Sequence, residues 1–294
     1  MKPNPGTWRA LAASARLANL PSVVSNVALG LMLGHAQAMP AAWALISGAA
    51  LYLSGGFIND WADRAWDKCH RPERALPAGL LAPRLYLALA IAFAGSGLIA
   101  AALATAAAFA VAVVISASVA TYTWLHKKTA VAVLPMALCR ALLPLLGLAA
   151  TGAWEMWPCA MLAAAGLFAH VAGISSLARS ESRPVHGPCT RLAPWWFASC
   201  VFIMAGGAVS ALQLPAIVFL AALLPYALWS GHAVMCRGMN TGARVSALLA
   251  GIPLVDWMLL LPFYSAGQTS SAALWLPPLA FALGRLAQRL TPAT

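Results

Sequence analysis

Acidic side chains are scarce in this chain. Seven Asp and Glu stand among 294 residues, and charged residues of either sign make up only 9%. A water-soluble globular chain carries about 25% charged residues, so a soluble fold is excluded on polarity alone. The six cysteines, Cys69, Cys139, Cys159, Cys189, Cys200 and Cys236, show no C-x-x-C spacing, and nothing in them argues for a disulfide framework. A single basic patch is also lacking. The formal net charge of +11 is dispersed in short clusters without an aromatic-and-basic strip, which argues against nucleic acid as a partner.

What the chain has is apolar length: 62% of its residues are hydrophobic. A hydrocarbon core about 30 Å thick needs about 20 mostly apolar residues per helical crossing. The pattern predicts an all-α membrane protein with helices at roughly 16–34, 41–58, 85–104, 105–125, 131–151, 157–176, 195–212, 216–234 and 245–264. A tenth segment, 272–287, is ambiguous. Pro277-Pro278 weakens it as a crossing, and an interfacial helix is the other reading. The expectation is one polytopic domain over 1–294, because no linker or composition shift divides the chain.

Basic residues alternate between the gaps. Arg64, Lys68, Arg71, Arg74 and Arg84 fall in the second gap, Lys127 and Lys128 in the fourth, Arg179, Arg183 and Arg191 in the sixth, and Arg237 and Arg244 in the eighth. The odd gaps contain no Lys or Arg. By the positive-inside rule this predicts a multi-pass membrane location with the even gaps and the N-terminus (Lys2, Arg9, Arg16) cytoplasmic. The first apolar run contains Asn19, Pro21 and Asn26 and lacks a small-residue cleavage pattern, so it reads as a membrane helix rather than a removed signal peptide.

Four of the seven acids, Asp60, Asp63, Asp67 and Glu73, lie within fourteen positions. On a helix, Asn59 or Asp60, Asp63 and Asp67 recur at three- and four-residue spacing and share one face. Three carboxylates so placed repel one another, and hard oxygen donors at a helix end suit Mg2+, which takes one or two carboxylates plus water and substrate phosphate. The competing reading has them solvate the helix end and pair with Arg64, Lys68 and Arg71. The next segment, His70-Arg71-Pro72-Glu73-Arg74-Ala75-Leu76-Pro77-Ala78-Gly79, breaks the helix and sets arginines beside the acids, suited either to a diphosphate or to topology.

Tyr122-Thr123-Trp124-Leu125-His126-Lys127-Lys128 forms a second basic station after the fourth helix, with an interfacial aromatic belt as its plainer reading. Arg140 and Asp256 fall inside apolar runs, where an ionisable residue is a functional candidate or half of a buried ion pair. A zinc site from Cys69-His70 and His186-x-x-Cys189 lacks a usual ligand spacing. His35, His126, His170 and His232 read as local polar contacts.

Asn59-Asp60-x-x-Asp63-x-x-x-Asp67 followed by Arg71-Pro72-x-Arg74-x-Leu76-Pro77-x-Gly79 resembles the first aspartate-rich motif and loop of the UbiA superfamily of intramembrane prenyltransferases. Arg16-x-x-Asn19-x-Pro21 and Tyr122-Thr123-x-Leu125-x-Lys127 are similar to that family too. Leu138-Cys139-Arg140 and Gly251-Ile252-Pro253-Leu254-Val255-Asp256 look most like its divergent, bacterial EboC-type branch, which implies a bacterial inner membrane. The resemblance implies a nine-helix bundle around a central cavity and an Mg2+-dependent transfer of an isoprenyl group from a diphosphate to a small acceptor. By position, Asn59, Asp60, Asp63 and Asp67 would hold metal, with the three aspartates catalytic. Arg16, Asn19, Arg71, Tyr122, Lys127, Arg140, Arg179 and Glu181 would bind substrate.

The family's second D-x-x-x-D motif is expected near the end of the sixth helix. Here that stretch reads His170-Val171-Ala172-Gly173-Ile174-Ser175-Ser176-Leu177-Ala178-Arg179-Ser180-Glu181, with no aspartate. Arg179 as a fixed cation in place of a metal's charge is one reading. A lipid-binding or transport component that has lost two-metal catalysis is the alternative.

Overall fold

The computed structural model describes residues 5–182, 188–212, 215–236 and 238–290. Side chains at 5–9, 180–182, 188–191, 208–212 and 216 lie outside that description. The described residues form helices and no strand: α1 (Pro5–Ser14), α2 (Leu20–Leu33), α3 (Ala38–His70), α4 (Pro83–Ala104), α5 (Ala106–Leu125), α6 (Val133–Ala149), α7 (Trp157–Ser182), α8 (Pro188–Leu212), α9 (Ala216–Met235), α10 (Thr241–Ala250), α11 (Ile252–Ser265), α12 (Ser271–Leu274) and α13 (Leu276–Leu290). Seven segments are long and apolar enough to cross a membrane, and Leu17–Leu33 and Leu192–Gly207 are shorter apolar helices. The chain is an integral, multi-pass membrane protein.

Each of the nine expected apolar stretches is helical, but the second ends far from its expected limit. The apolar run stops near residue 58, whereas α3 continues to His70. At 1.5 Å per residue its 33 residues span about 50 Å, well beyond an apolar layer of about 30 Å. The polar third of α3 therefore emerges from the bilayer core as regular helix, which keeps the aspartates in helical register.

Adjacent helices pack through small residues, as apolar helices in lipid must when van der Waals contact drives their association. The tightest crossing joins α2 to α6. A Cβ at Gly30 would sit 1.9 Å from the Pro144 carbonyl oxygen, and one at Gly147 would sit 2.0 Å from that of Val27. Only glycine permits that approach. On the neighbouring faces of α2, Ser25 and Asn26 reach α11 and Ser22 reaches α6.

The ambiguous C-terminal segment forms α13, which packs against α2 and α11 and is not among the seven long apolar helices. Pro277, Ala280 and Gly284 face inward, while Leu279, Leu283, Leu286 and Leu290 are exposed. Near its end Gln288 donates to the Ser246 carbonyl at 2.8 Å, and the Arg285 guanidinium lies 5.1 Å from the Trp229 ring centre.

Candidate functional site

The end of α3 supplies the acids. At 100° per residue Asn59, Asp63, Asp67 and Asp60 fall within an arc of about 100°, one face of the helix. The end of α5 lies against half of that face, with partners at matching helical spacing. Thr123 donates to Asn59 Oδ1 at 2.5 Å, His126 Nε2 lies 2.8 Å from Asp63 Oδ1, and Lys127 Nζ lies 3.4 Å from Asp63 Oδ2. The ammonium of Lys127 also sits 3.7 Å from the centre of the Trp66 ring, on the same face of α3.

The other half of the face is met by arginines. Arg74 Nη1 lies 2.9 Å from Asp67 Oδ2 and 3.6 Å from Asp60 Oδ1, and Arg16 Nη2 lies 3.6 Å from Asp60 Oδ1. Local backbone explains both approaches. After α3 the chain doubles back through a turn in which Ala78 N bonds to Arg74 O and Leu80 N to Ala75 O, and Gly79 takes φ 70°, a conformation glycine adopts without strain. Ala75 buries there and sets Arg74 over α3.

Arg16 itself adopts φ 49° and ψ 45°, a left-handed backbone rare outside glycine, between α1 and the short helical turn Leu17–Asn19. Its carbonyl accepts from the Tyr52 hydroxyl at 3.2 Å. Burial, the largest single influence, would lower the pKa of the guanidinium, but Asp60, Tyr52, Tyr122 and Asp63 together outweigh it, so the pKa rises and Arg16 stays charged.

Next to this face is a cavity of about 490 Å³. It is walled by α3, α5, α6, α7, α10 and the start of α11, with aliphatic residues such as Leu51, Ile115, Val119, Leu143, Val171, Ile174 and Ile252. Arg16, Asn19, Asn59, Asp63, Asp67, Arg71, Tyr122, Lys127, Arg140 and Arg179 all line it, which brings together ten residues expected to be functional. Asp60 is not in that lining and stands behind it, engaged by Arg16 and Arg74. The Glu181 side chain, like His186 and Cys189, lies outside the described residues.

Arg74 and His126 are also in the lining, and the expected set contained neither. Arg74 was legible as one of two arginines after the acidic helix. His126 was taken for a local contact, because nothing in a single sequence reveals that the end of α5 docks on Asp63. The remaining expectations divide in the same way. His170 is fully buried between Tyr226 Oη (2.9 Å) and the Leu248 carbonyl (3.2 Å), a structural role. One of the two readings of Asp256 made it half of a buried ion pair with an arginine. Instead its carboxylate accepts from Ser25 Oγ and from Asn26 Nδ2 at 2.9 and 2.8 Å, and it makes no ion pair among the described residues.

The acids were also expected to carry metal. Among the described residues no group of three or more His, Cys, Asp or Glu converges as a ready ligand set. The donor chemistry nevertheless fits one hard divalent cation. Asp63 and Asp67, one turn apart, both line the cavity, and Asp67 is 2% exposed with its Oδ1 buried and without a hydrogen-bond partner. A second cation finds no acid: in the described part of the α7 end, the cavity is met by Val171, Ile174, Ser175, Ala178 and Arg179. Arg179 Nη1 there donates to the His126 carbonyl at 3.4 Å, tying α7 to the end of α5.

In sum the lining holds six Arg and Lys against two Asp, so the polar end of the cavity is built to hold an anion bearing several negative charges. The apolar remainder suits a hydrocarbon.

A model of the UbiA prenyltransferase family matches residues 23–244. Among solved structures, one described as a digeranylgeranylglyceryl phosphate synthase superposes with a TM-score of 0.63 at 13% identity, covering 89% of this chain and 99% of the other. A UbiA homolog from Archaeoglobus fulgidus gives 0.61 at 20% identity, covering 88% and 98%. The same homolog bound to GPP and Mg2+ gives 0.53 at 18% identity, covering 95% and 98%. No curated protein matches the chain in sequence.

Proposed function

The chain belongs to the UbiA prenyltransferase family, and from that premise we propose that it transfers an isoprenyl group from an allylic diphosphate to a small acceptor at the cavity beside α3, a member of the family's EboC-type branch. The observation that carries this reading is the pairing, in one cavity, of a cation-rich mouth and an acidic helix face with an apolar interior. The donor's diphosphate lies at the mouth and its hydrocarbon chain among the aliphatic residues. With the even gaps cytoplasmic, the mouth opens to the cytoplasm.

Arg71, Lys127, Arg179 and Tyr122 bind the diphosphate oxygens, and Arg16 with Asn19 closes the same side. These fixed cations stabilise negative charge as it moves onto the leaving diphosphate, where stabilisation lowers the barrier most. The allylic C–O bond breaks, the acceptor forms the new bond to that carbon, and the acceptor's proton leaves. The apolar wall excludes water that would otherwise capture the allylic cation. Asp63 and Asp67, with Asn59 and Asp60 in support, would hold one Mg2+, which would add positive charge beside the departing diphosphate. His126 positions Asp63, and Arg74 positions Asp67 and Asp60. Arg179, with Glu181 beyond it, occupies the region where a second metal would otherwise act.

A UbiA homolog from Archaeoglobus fulgidus has been solved with GPP and with DMAPP, each with Mg2+, which supports the same donor class here. The test is diphosphate release from geranyl and longer prenyl diphosphates by purified protein, with and without Mg2+. Mg2+-stimulated release supports the enzyme. Tight donor binding without turnover in the presence of acceptors would replace it with the second reading, a lipid-binding or transport component for a small metabolite. The lack of acids in the described end of α7 is what favours that alternative.

A further inference from the structure

The cations at the cavity mouth are held in unequal ways. Arg16 and Arg74 are fixed by carboxylates, and Arg179 donates to the His126 carbonyl. Lys127 ends on a flexible four-carbon stem, and its side chain is 38% exposed. An ammonium on such a stem loses rotamer freedom when it fixes on a ligand, unless the protein has already placed it. Two groups place it here. Asp63 Oδ2 lies 3.4 Å from Nζ, and the centre of the Trp66 ring lies 3.7 Å from it.

These two partners differ once the site is loaded. Asp63 is the carboxylate read above as a metal ligand, and a divalent cation there would repel an ammonium that the bare carboxylate attracts. The indole face takes no metal and keeps its attraction for Lys127. The ring is itself held. His70, one turn further along α3, stacks on Trp66 with ring centres 4.0 Å apart and planes 4° from parallel. Its Nδ1 donates to the Trp66 carbonyl at 2.9 Å, since a carbonyl can only accept. An ammonium and a parallel ring this close to one ring centre would overlap on a single face, so Lys127 and His70 cover opposite faces of the indole. Trp66 lines the cavity with neither face open to an allylic cation.

We propose that Trp66 is a positioning residue: its indole, backed by His70, holds the Lys127 ammonium at the mouth when Asp63 is committed to a metal ion, so that Lys127 meets the donor's diphosphate already in place. This role rests on the reading of the mouth as a diphosphate site. The ring then serves the cation that binds the leaving group, and not the carbon that reacts.

The experiment measures dissociation constants of inorganic diphosphate and geranyl diphosphate, both with Mg2+, on the detergent-purified full chain. The set is the parent protein, Trp66→Leu, Trp66→Phe, Lys127→Met, and each Trp66 variant combined with Lys127→Met. Trp66→Leu should weaken both ligands about three- to fivefold, the scale of a cation–π contact at a partly exposed site. Trp66→Phe keeps a ring face and should recover part of that loss. In the Lys127→Met background neither Trp66 variant should weaken binding further, because the cation that the ring holds is gone. The cycle built on Trp66→Phe reads the same coupling if Trp66→Leu does not fold.

A loss of equal size with and without Lys127 overturns the proposal, since the ring would then act on the ligand or the fold directly. Unchanged affinity in Trp66→Leu overturns it too, because Asp63 would suffice to hold Lys127. If the coupling appears with inorganic diphosphate while geranyl diphosphate does not bind, the prenyl-transfer reading fails and the role of Trp66 stands.

Discussion

The ends of α3 and α7 reach the same cavity mouth and do opposite things there. On α3 the cavity-facing positions Asn59, Asp63, Trp66 and Asp67 carry oxygen donors and an aromatic ring, while on α7 Val171, Ile174, Ser175, Ala178 and Arg179 occupy the same helical periodicity with aliphatics, one hydroxyl and one cation. Both helices are equally regular, so the difference is chemical rather than architectural. On the proposed reading one wall recruits a metal ion, while the other brings its positive charge covalently. A fixed guanidinium needs no ion from solution and gives planar, directional donors, whereas a metal can collect oxygens from several sides at once.

The largest expected effect comes from removing charge on the α3 side. Asp63→Asn keeps the shape of the side chain and should lower Mg2+-stimulated diphosphate release by about a hundredfold or more, the scale lost with a group aimed at transition-state charge. Undiminished release would place the metal elsewhere and break the contrast. On the α7 side, Arg179→Ala should weaken prenyl diphosphate binding about thirtyfold, as expected for loss of a charge-assisted contact, with the Mg2+ concentration dependence unchanged. A variant whose affinity is preserved would show that Arg179 only ties α7 to the His126 carbonyl. His126→Ala acts through Asp63 and should reduce turnover about tenfold, the usual scale for a group that orients a ligand. A steeper loss in KM than in kcat would instead make it a direct diphosphate contact.

The smallest change in size is the most direct comparison of the two walls. Ser175 and Arg179 stand at the spacing of a D-x-x-x-D pair on a cavity-facing stripe. The double variant Ser175→Asp, Arg179→Asp should rescue the diphosphate binding lost in Arg179→Ala only at raised Mg2+ and with a steeper Mg2+ dependence. Rescue independent of Mg2+ would mean that the α7 wall takes no part in charge neutralisation.

Much of this was open to a reader of the chain. Hydropathy placed the nine apolar stretches, because burial in hydrocarbon imposes a continuous run that a sequence displays directly. The clustering of Asn59, Asp60, Asp63 and Asp67 marked the acidic face, because helical periodicity is a property of spacing alone. The extension of α3 to His70 was missed as a boundary, since a helix can outrun its apolar segment where its polar end finds partners at Thr123, His126 and Lys127. Of the two readings of Asp256, the buried pair with an arginine fails, because Ser25 and Asn26 on α2 hold its carboxylate.

The sequence by itself determined that the chain lives in a bilayer, where its acids concentrate, and that α7 lacks a second aspartate motif; these depend on composition and on spacing within single helices. Only the tertiary structure decided which cation meets which carboxylate, that His126 belongs to the site, and that Arg140 faces the cavity with two nitrogens unpartnered. Those facts depend on contacts between separate elements, from the Arg74 turn folding back on α3 to the docking of α5 on Asp63, sixty-three positions away at His126. They are set by how α2, α3, α5 and α6 pack, down to backbone approaches that only Gly30 and Gly147 allow.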